Sequence, residues 1–253
     1  SRQPVRLAHR PQDFRSASAN RFLTDASIIL PMTAASPFLE YINNVALRTL
    51  RESTDAEVLV LGNNTPDLQR VKALRQLCGM LGFRFEHVEG PFSQSRFWNY
   101  GIDRTTGSHI VFANADCIFY PCWLDHILEL WREEPEYYAL WPWSFNVHDM
   151  GLAYRTCRVP ERRIIHTHHP AVALVMRRLS GYRWDEQFPL WEMDADFMYF
   201  CQVKGHKLGL CLWSRVDHLQ NTISSSIDLD THLGVRDHCS LSVNRLRAKW
   251  GLK

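Results

Sequence analysis

A chain of 253 residues with 45% hydrophobic content is long enough to bury a core of its own, as one large domain or two merged halves, which excludes a wholly disordered protein. A net charge of +2 excludes a general nucleic-acid binder, so no nucleic-acid partner is expected. Seven cysteines, none in a C-x-x-C pair and most inside apolar runs such as "FMYFCQ" and "GLCLW", suit buried thiols in a reducing compartment rather than a disulfide frame.

Residues 1–25 form an expected N-terminal arm, rich in Arg, Ser and Ala and without apolar periodicity. Its arginines suit either a solvated tail or peripheral contact with anionic lipid headgroups. No segment approaches the roughly 20 apolar residues of a membrane span, and no signal-peptide core opens the chain. A cytoplasmic location is the expectation, with a position peripheral to a membrane as its variant.

From Ala26 the pattern becomes regular. "ASIILPM" reads as a buried strand, and Ser36-Pro37 supplies an N-cap and first-turn proline for a helix carrying Leu39, Ile42, Ala46 and Leu50. "AEVLVLG" is a second strand, and "PDLQRVKALRQLCGMLG" a helix closed by Gly82. "FRFEHVE", a helical stretch around "SQSRFWNYGIDRTT" and the strand "HIVFAN" follow. Strands alternating with helices predict an α/β fold with a mostly parallel sheet. After Asp116 a helix, "CWLDHILELWREE", precedes an aromatic, irregular-looking "YYALWPWSFN" and a strand-like "AVALVM". One domain over 26–253 is expected, in two merged halves, 26–116 and 117–253.

In open α/β sheets, ligands bind beyond the carboxyl ends of the strands. Those ends carry Pro31 and Thr33, Asn63, and Asn114 with Asp116. No G-x-G-x-x-G or P-loop sequence is present, which counts against a dinucleotide-binding dehydrogenase or a P-loop NTPase. Asp116 suits a hard divalent ion that keeps waters and binds substrate phosphates; the same residue also suits a helix cap. A second cluster, "WEMDADF", places Glu192, Asp194 and Asp196 just before a helical run ending at Gly205. A helix N-terminus stabilises such carboxylates as anions, ready to accept a proton, and the same placement serves ordinary charge complementarity. Trp191 beside them offers an aromatic face to a sugar or a core side chain. A third signal is Asp217-His218, His being a common metal ligand when neutral. His166, His168 and His169 form an H-x-H-H alternative that would suit a zinc hydrolase.

In its order of motifs, the chain resembles GT-A glycosyltransferases, in particular the inverting family 2 enzymes that use nucleotide sugars. The resemblance covers roughly residues 26 to 253 and implies a nucleotide-binding half over 26–116 and an acceptor half with the C-terminal tail over 117–253. It rests on "SIILPMTAASPFLEYINNVALRTL", "FSQSRFWNYGIDRTTGSHIVFANAD", "SGYRWDEQFPLWEMDADF", "VDHLQNTISS" and "NRLRAKWG". The resemblance implies a nucleotide-sugar donor bound by Pro31, Thr33, Asn63, Asn99, Asn114 and Asp116, and Mn²⁺ or Mg²⁺ held by Asp116 with His218. It implies Asp194 as the catalytic base, with Glu192 as the substitute, and a saccharide or other hydroxyl acceptor near Trp191. The expected role is polysaccharide or glycan synthesis. Asn63 and Asn114 stand where the family often carries acids, which removes two negative charges. A non-catalytic carbohydrate- or nucleotide-binding scaffold of the same fold is the competing class.

Overall fold

The computed structural model describes residues 25–63, 67–144, 161–167, 172–190, 192–219 and 235–252, with side chains from residue 241 onward in the last segment. The elements, in order, are β1 (Ala26–Met32), α1 (Pro37–Ser53), β2 (Glu57–Asn63), α2 (Leu68–Met80), β3 (Arg84–Val88), α3 (Gln94–Ile102), β4 (His109–Phe112) and β5 (Cys117–Phe119). Then come α4 (Trp123–Glu133), β6 (Tyr137–Trp143), β7 (Ile164–His166), β8 (Leu174–Arg177), a single 3-10 turn (Arg178–Ser180), α5 (Met193–Lys204), β9 (Lys207–His218) and α6 (Val235–Trp250).

The strands join into one sheet in the order β3-β2-β1-β4-β8-β6-β9-β5, with β7 pairing to β9. β1, β2, β3 and β4 pair in parallel, the outcome of the βαβ alternation read along the chain. Beyond β4 the sheet is mixed: β8 runs antiparallel to both β4 and β6, while β6 and β9 are parallel. The "YYALWPW" segment, irregular to the eye, is the interior strand β6. It is covered on both faces and therefore shows no polar alternation.

Local chemistry explains the helices. Ser36 caps α1, its hydroxyl accepting from the Leu39 N–H at 3.3 Å, with Pro37 in the first turn. Asp67 caps α2 through the N–H groups of Gln69 and Arg70, and Gly82 beyond its end takes φ +72°, a conformation that suits glycine. The period-2 alternation of each strand sends its side chains to two apolar layers. Ile28, Leu30, Val58 and Val60 pack with Leu47 of α1 and Leu74 of α2. Ile29, Leu59, Leu61, Ile110 and Phe112 pack with Phe97 and Trp98 of α3, Phe197 of α5 and Leu246 of α6.

At the amino ends of the parallel strands, Glu57 receives hydrogen bonds from the Ser27 hydroxyl at 2.6 Å, Arg84 at 2.8 Å and the Thr106 N–H at 3.1 Å. Burial pushes the Glu57 carboxyl up, but these donors outweigh it and hold it below its ordinary value. This end of the sheet is thus closed by hydrogen bonds, and the opposite, carboxyl end is where the polar residues of interest gather.

Candidate functional site

The side-chain parity of three neighbouring strands builds the floor. Ile29 in β1, Leu59 and Leu61 in β2 and Ile110 and Phe112 in β4 all face the α3/α5 layer. Continuing the alternation puts Pro31, Thr33, Asn63 and Asn114 on that same face at the strands' carboxyl ends. Thr33 and Asn63 are almost fully buried, at 5% and 3% exposure. The Thr33 carbonyl accepts from Asn43 Nδ2 at 2.8 Å, and Asn63 Oδ1 has no partner among the described residues. Asn114 Oδ1 accepts from Gln94 Nε2 at 2.8 Å, tying the strand end to the first turn of α3.

Asp116 and His218 meet directly. β5 pairs antiparallel with the end of β9, setting Cys117 opposite His218, and the Leu219 N–H donates to the Asp116 carbonyl at 2.8 Å. With the backbones so fixed, His218 Nε2 lies 3.0 Å from Asp116 Oδ1, and the His218 N–H donates to Ser144 Oγ at 3.1 Å. Asp116 is only 6% exposed. Next along β9, Asp217 accepts from the Tyr120 hydroxyl at 2.8 Å and from Arg215 at 2.7 and 3.1 Å, and the Arg215 guanidinium lies 4.1 Å from the Tyr120 ring centroid. These bonds brace the β5–β9 pairing that delivers His218.

The acidic cluster opens α5. Glu192 is its N-cap residue in the left-handed region, φ +63°, and makes no capping bond with its side chain. Burial, reinforced by the charge of Asp194, raises the Glu192 carboxyl above its ordinary value. Asp194 is exposed, with Oδ1 accepting from the Ala195 N–H at 2.9 Å. Asp196 is 3% exposed and turns inward. Asp194 thus stands exposed on the first turn of α5, and Asp196 on the same turn faces inward.

The loop before α5 is strapped to α3. Asn99 donates to the Trp184 carbonyl at 2.9 Å and to Glu186 at 3.0 Å, and accepts from the Trp184 N–H at 2.9 Å. The Gln94 N–H donates to the Pro189 carbonyl at 2.6 Å. Gln94 thereby links Asn114 with the approach to Glu192. Trp184 itself is core, 4.7 Å from Trp98 and 5.2 Å from Phe112 between ring centroids. Trp141 and Trp143 are also buried, while Trp191 lies outside the described residues.

The expected residues therefore sort into one strand-end group (Pro31, Thr33, Asn63, Asn114, Asp116, His218), one helix-start group (Glu192, Asp194) and one strap residue (Asn99). Sequence reasoning missed Gln94, Ser144, Tyr120 and Arg215; the only signal for Gln94 was a polar residue next to the helix cap Ser93. His166 Nδ1 lies 3.0 Å from the Leu208 carbonyl oxygen, whereas His168 and His169 are outside the described residues. Among the described residues no group of three His, Cys, Asp or Glu side chains converges on a point, and Asp116 and His218 are the two ligand-type groups that they would offer a metal at the strand ends. That set fits an ion that takes its other ligands from phosphate oxygens and water. Among the described residues no helix is long and apolar enough to cross a membrane, and the arm falls outside them.

Comparison with known proteins agrees with this architecture. The fold is shared with the crystal structure of GalNAc-T7 with UDP, GalNAc and Mn²⁺, at a TM-score of 0.58 and 10% identity, over 76% of this chain and 42% of that one. It is shared also with Staphylococcus aureus TarS, at 0.57 and 13% identity over 81% of this chain and 38% of that one. With TarS residues 1–349 the TM-score is 0.58 at 11% identity, over 88% and 72%. The chain thus spans less than half of the first two structures. No curated protein matches the sequence. The model of glycosyl transferase family 2 matches residues 27–183, more than half of the chain, and the chain belongs to that family.

Proposed function

We propose that this protein transfers a sugar from a nucleoside diphosphate donor to an acceptor hydroxyl with inversion at the anomeric carbon, in glycan or polysaccharide synthesis. The observation that carries the reading is the Asp116–His218 contact at the carboxyl end of the sheet, on the rim of the Thr33, Asn63 and Asn114 face. Pro31 and Thr33 line the nucleoside side, and the Asn63 oxygen, without a partner among the described residues, supplies an acceptor for a base N–H. Asn114, oriented by Gln94, serves a donor hydroxyl. Asn99 acts through the loop it holds, because its amide is already engaged there.

Asp116 and His218 are the residues that would hold Mn²⁺ or Mg²⁺ between the protein and the donor diphosphate. Such an ion, when bound, neutralises charge developing on the leaving diphosphate. Asp194 accepts the proton of the acceptor hydroxyl as that oxygen forms its bond to the anomeric carbon. The bond from that carbon to the diphosphate oxygen breaks on the opposite face, and the diphosphate leaves with the electron pair. Glu192, whose carboxyl is raised above its ordinary value by burial and by the charge of Asp194, is the alternative base. Trp191, next to these acids in the chain, is the acceptor-side aromatic.

Asp194→Asn tests the assignment. Transfer should fall by roughly a hundredfold or more while donor affinity stays within about twofold, as expected for loss of a general base. Full turnover in Asp194→Asn would remove Asp194 from the role and pass it to Glu192. Donor binding without transfer in the wild type would support the scaffold instead.

A further inference from the structure

We infer that the last turn of α6 is a positioning clamp: its Lys249 and Trp250 hold the acidic first turn of α5, and through it the base. The second part rests on the function proposed for Asp194.

The starting point is a missing cap. The first amides of a helix lack partners within the helix and are ordinarily satisfied by the N-cap side chain. In α5 the Glu192 side chain makes no such bond, and its backbone is held in the left-handed region that favours glycine. A turn of that kind needs an anchor from elsewhere. Asp196 supplies it: Lys249 Nζ sits 2.7 Å from Oδ1 and 2.9 Å from Oδ2, and the Trp250 indole N–H donates to Oδ1 at 2.8 Å. The Asp196 N–H closes the first helical bond, to the Glu192 carbonyl at 2.8 Å. The anchored residue is thus the one that defines the turn, and Asp194 stands on that same turn.

α6 grips the incoming loop as well. Lys249 Nζ is 2.9 Å from Asp185 Oδ2, and Arg245 donates to the Gln187 carbonyl at 2.7 Å. The Trp250 ring stacks on Tyr199 at 5.8 Å between centroids. Leu246, 7% exposed in the core beneath α3 and α5, already gives α6 an apolar attachment. The polar grip at 249 and 250 is therefore additional to docking of the helix, and it falls on the turn that carries the acids.

The test compares Lys249→Met with Lys249→Arg in the full chain. Amide hydrogen exchange without any ligand comes first. Lys249→Met should speed exchange of the hydrogen-bonded amides of residues 196–200 by roughly tenfold or more while β1 and β2 keep wild-type rates, and Lys249→Arg should stay near wild type. Unchanged exchange in that turn, or an equal increase everywhere, overturns the clamp. Steady-state transfer comes second. In Lys249→Met, kcat should fall roughly ten- to a hundredfold with donor KM within about twofold, as for a displaced catalytic group, and Lys249→Arg should recover most of it. Faster local exchange with unchanged kcat overturns the positioning role. A wild type that transfers no sugar overturns the proposed function alone, and the exchange contrast then still decides the clamp.

Discussion

Replacing Asn99 by alanine should destabilise the protein through one strap rather than through lost packing. The Asn99 amide satisfies both backbone groups of Trp184, accepting from its N–H and donating to its carbonyl, each at 2.9 Å. Trp184 is 4% exposed, so water has little access to either group once the amide is gone. An unsatisfied buried backbone group costs about 1–3 kcal/mol, so the pair amounts to about 2–6 kcal/mol before the loop relaxes. Relaxation brings water in and lowers this to about 2–4 kcal/mol. The third bond, to the exposed Glu186, adds little. For a chain of this size each kcal/mol moves the midpoint by about 2–4 °C, so Tm should fall by about 4–16 °C. Urea denaturation gives the free energy directly, and an unchanged m value would show that the native state keeps its compactness. Asn99→Asp sharpens the test, because it keeps an acceptor for the Trp184 N–H but turns oxygen towards the Trp184 carbonyl and Glu186. It should be at least as destabilising at neutral pH and recover in acid, where the new carboxyl gains a proton. A change within about 0.5 kcal/mol for Asn99→Ala, the range of ordinary surface substitutions, would refute the strap.

Other expectations concern the helix start and the far end of the sheet. The Glu192 carboxyl is raised by burial and by Asp194, so its ionised form is disfavoured in the folded state. Stability from this group should therefore decline as pH rises from the ordinary glutamate range through the raised value. Glu192→Gln should remove that decline and leave the protein slightly more stable near neutrality, checked by denaturation at two pH values; a steeper decline would reverse the sign. At the opposite end, a Cβ on Gly107 would lie 2.6 Å from both the Ala26 carbonyl carbon and the Ser27 nitrogen, which are backbone atoms that cannot rotate away. Gly107→Ala should thus cost about 1–3 kcal/mol, as overpacking does, and wild-type stability would show that the two strands separate freely there.

Much of the fold was legible because local chemistry and burial agree. β1 is a fully buried, largely apolar run bounded by Asp25 and the Ser36-Pro37 cap, and it forms as read. The placement of Thr33, Asn63 and Asn114 at the carboxyl ends of the strands was legible from the same alternation. β6 was not, since a strand covered on both faces shows no alternation and Pro142 reads as a breaker. Bonds between distant positions were also invisible. Asp196 meets Lys249 across 53 residues, and Tyr120 meets Asp217 across 97. Nothing local marks Asp196, facing inward, apart from Asp194, facing outward, because helix-start acids are common whatever their role. The tryptophans show the same limit: Trp141 and Trp184 suit a sugar surface or a core by type, and burial places them in the core. Four of the cysteines described are buried as expected, with burial pushing the thiols of Cys78, Cys201 and Cys211 up to about 12, whereas Cys122 is exposed at the start of α4.

The measurement that bears most directly on the proposed function is thermal unfolding with UDP, GDP, CDP or dTDP, each with and without Mn²⁺, for the wild type and Asp116→Ala. A ligand bound only by the folded state at a hundred times its Kd adds about 2.7 kcal/mol, or about 5–11 °C for a protein of this size. The expected result is a rise with one nucleotide that grows with Mn²⁺ in the wild type and loses its Mn²⁺ increment in Asp116→Ala. No rise with any of the four, or a Mn²⁺ increment that survives in Asp116→Ala, would contradict a donor site built on Asp116 and His218.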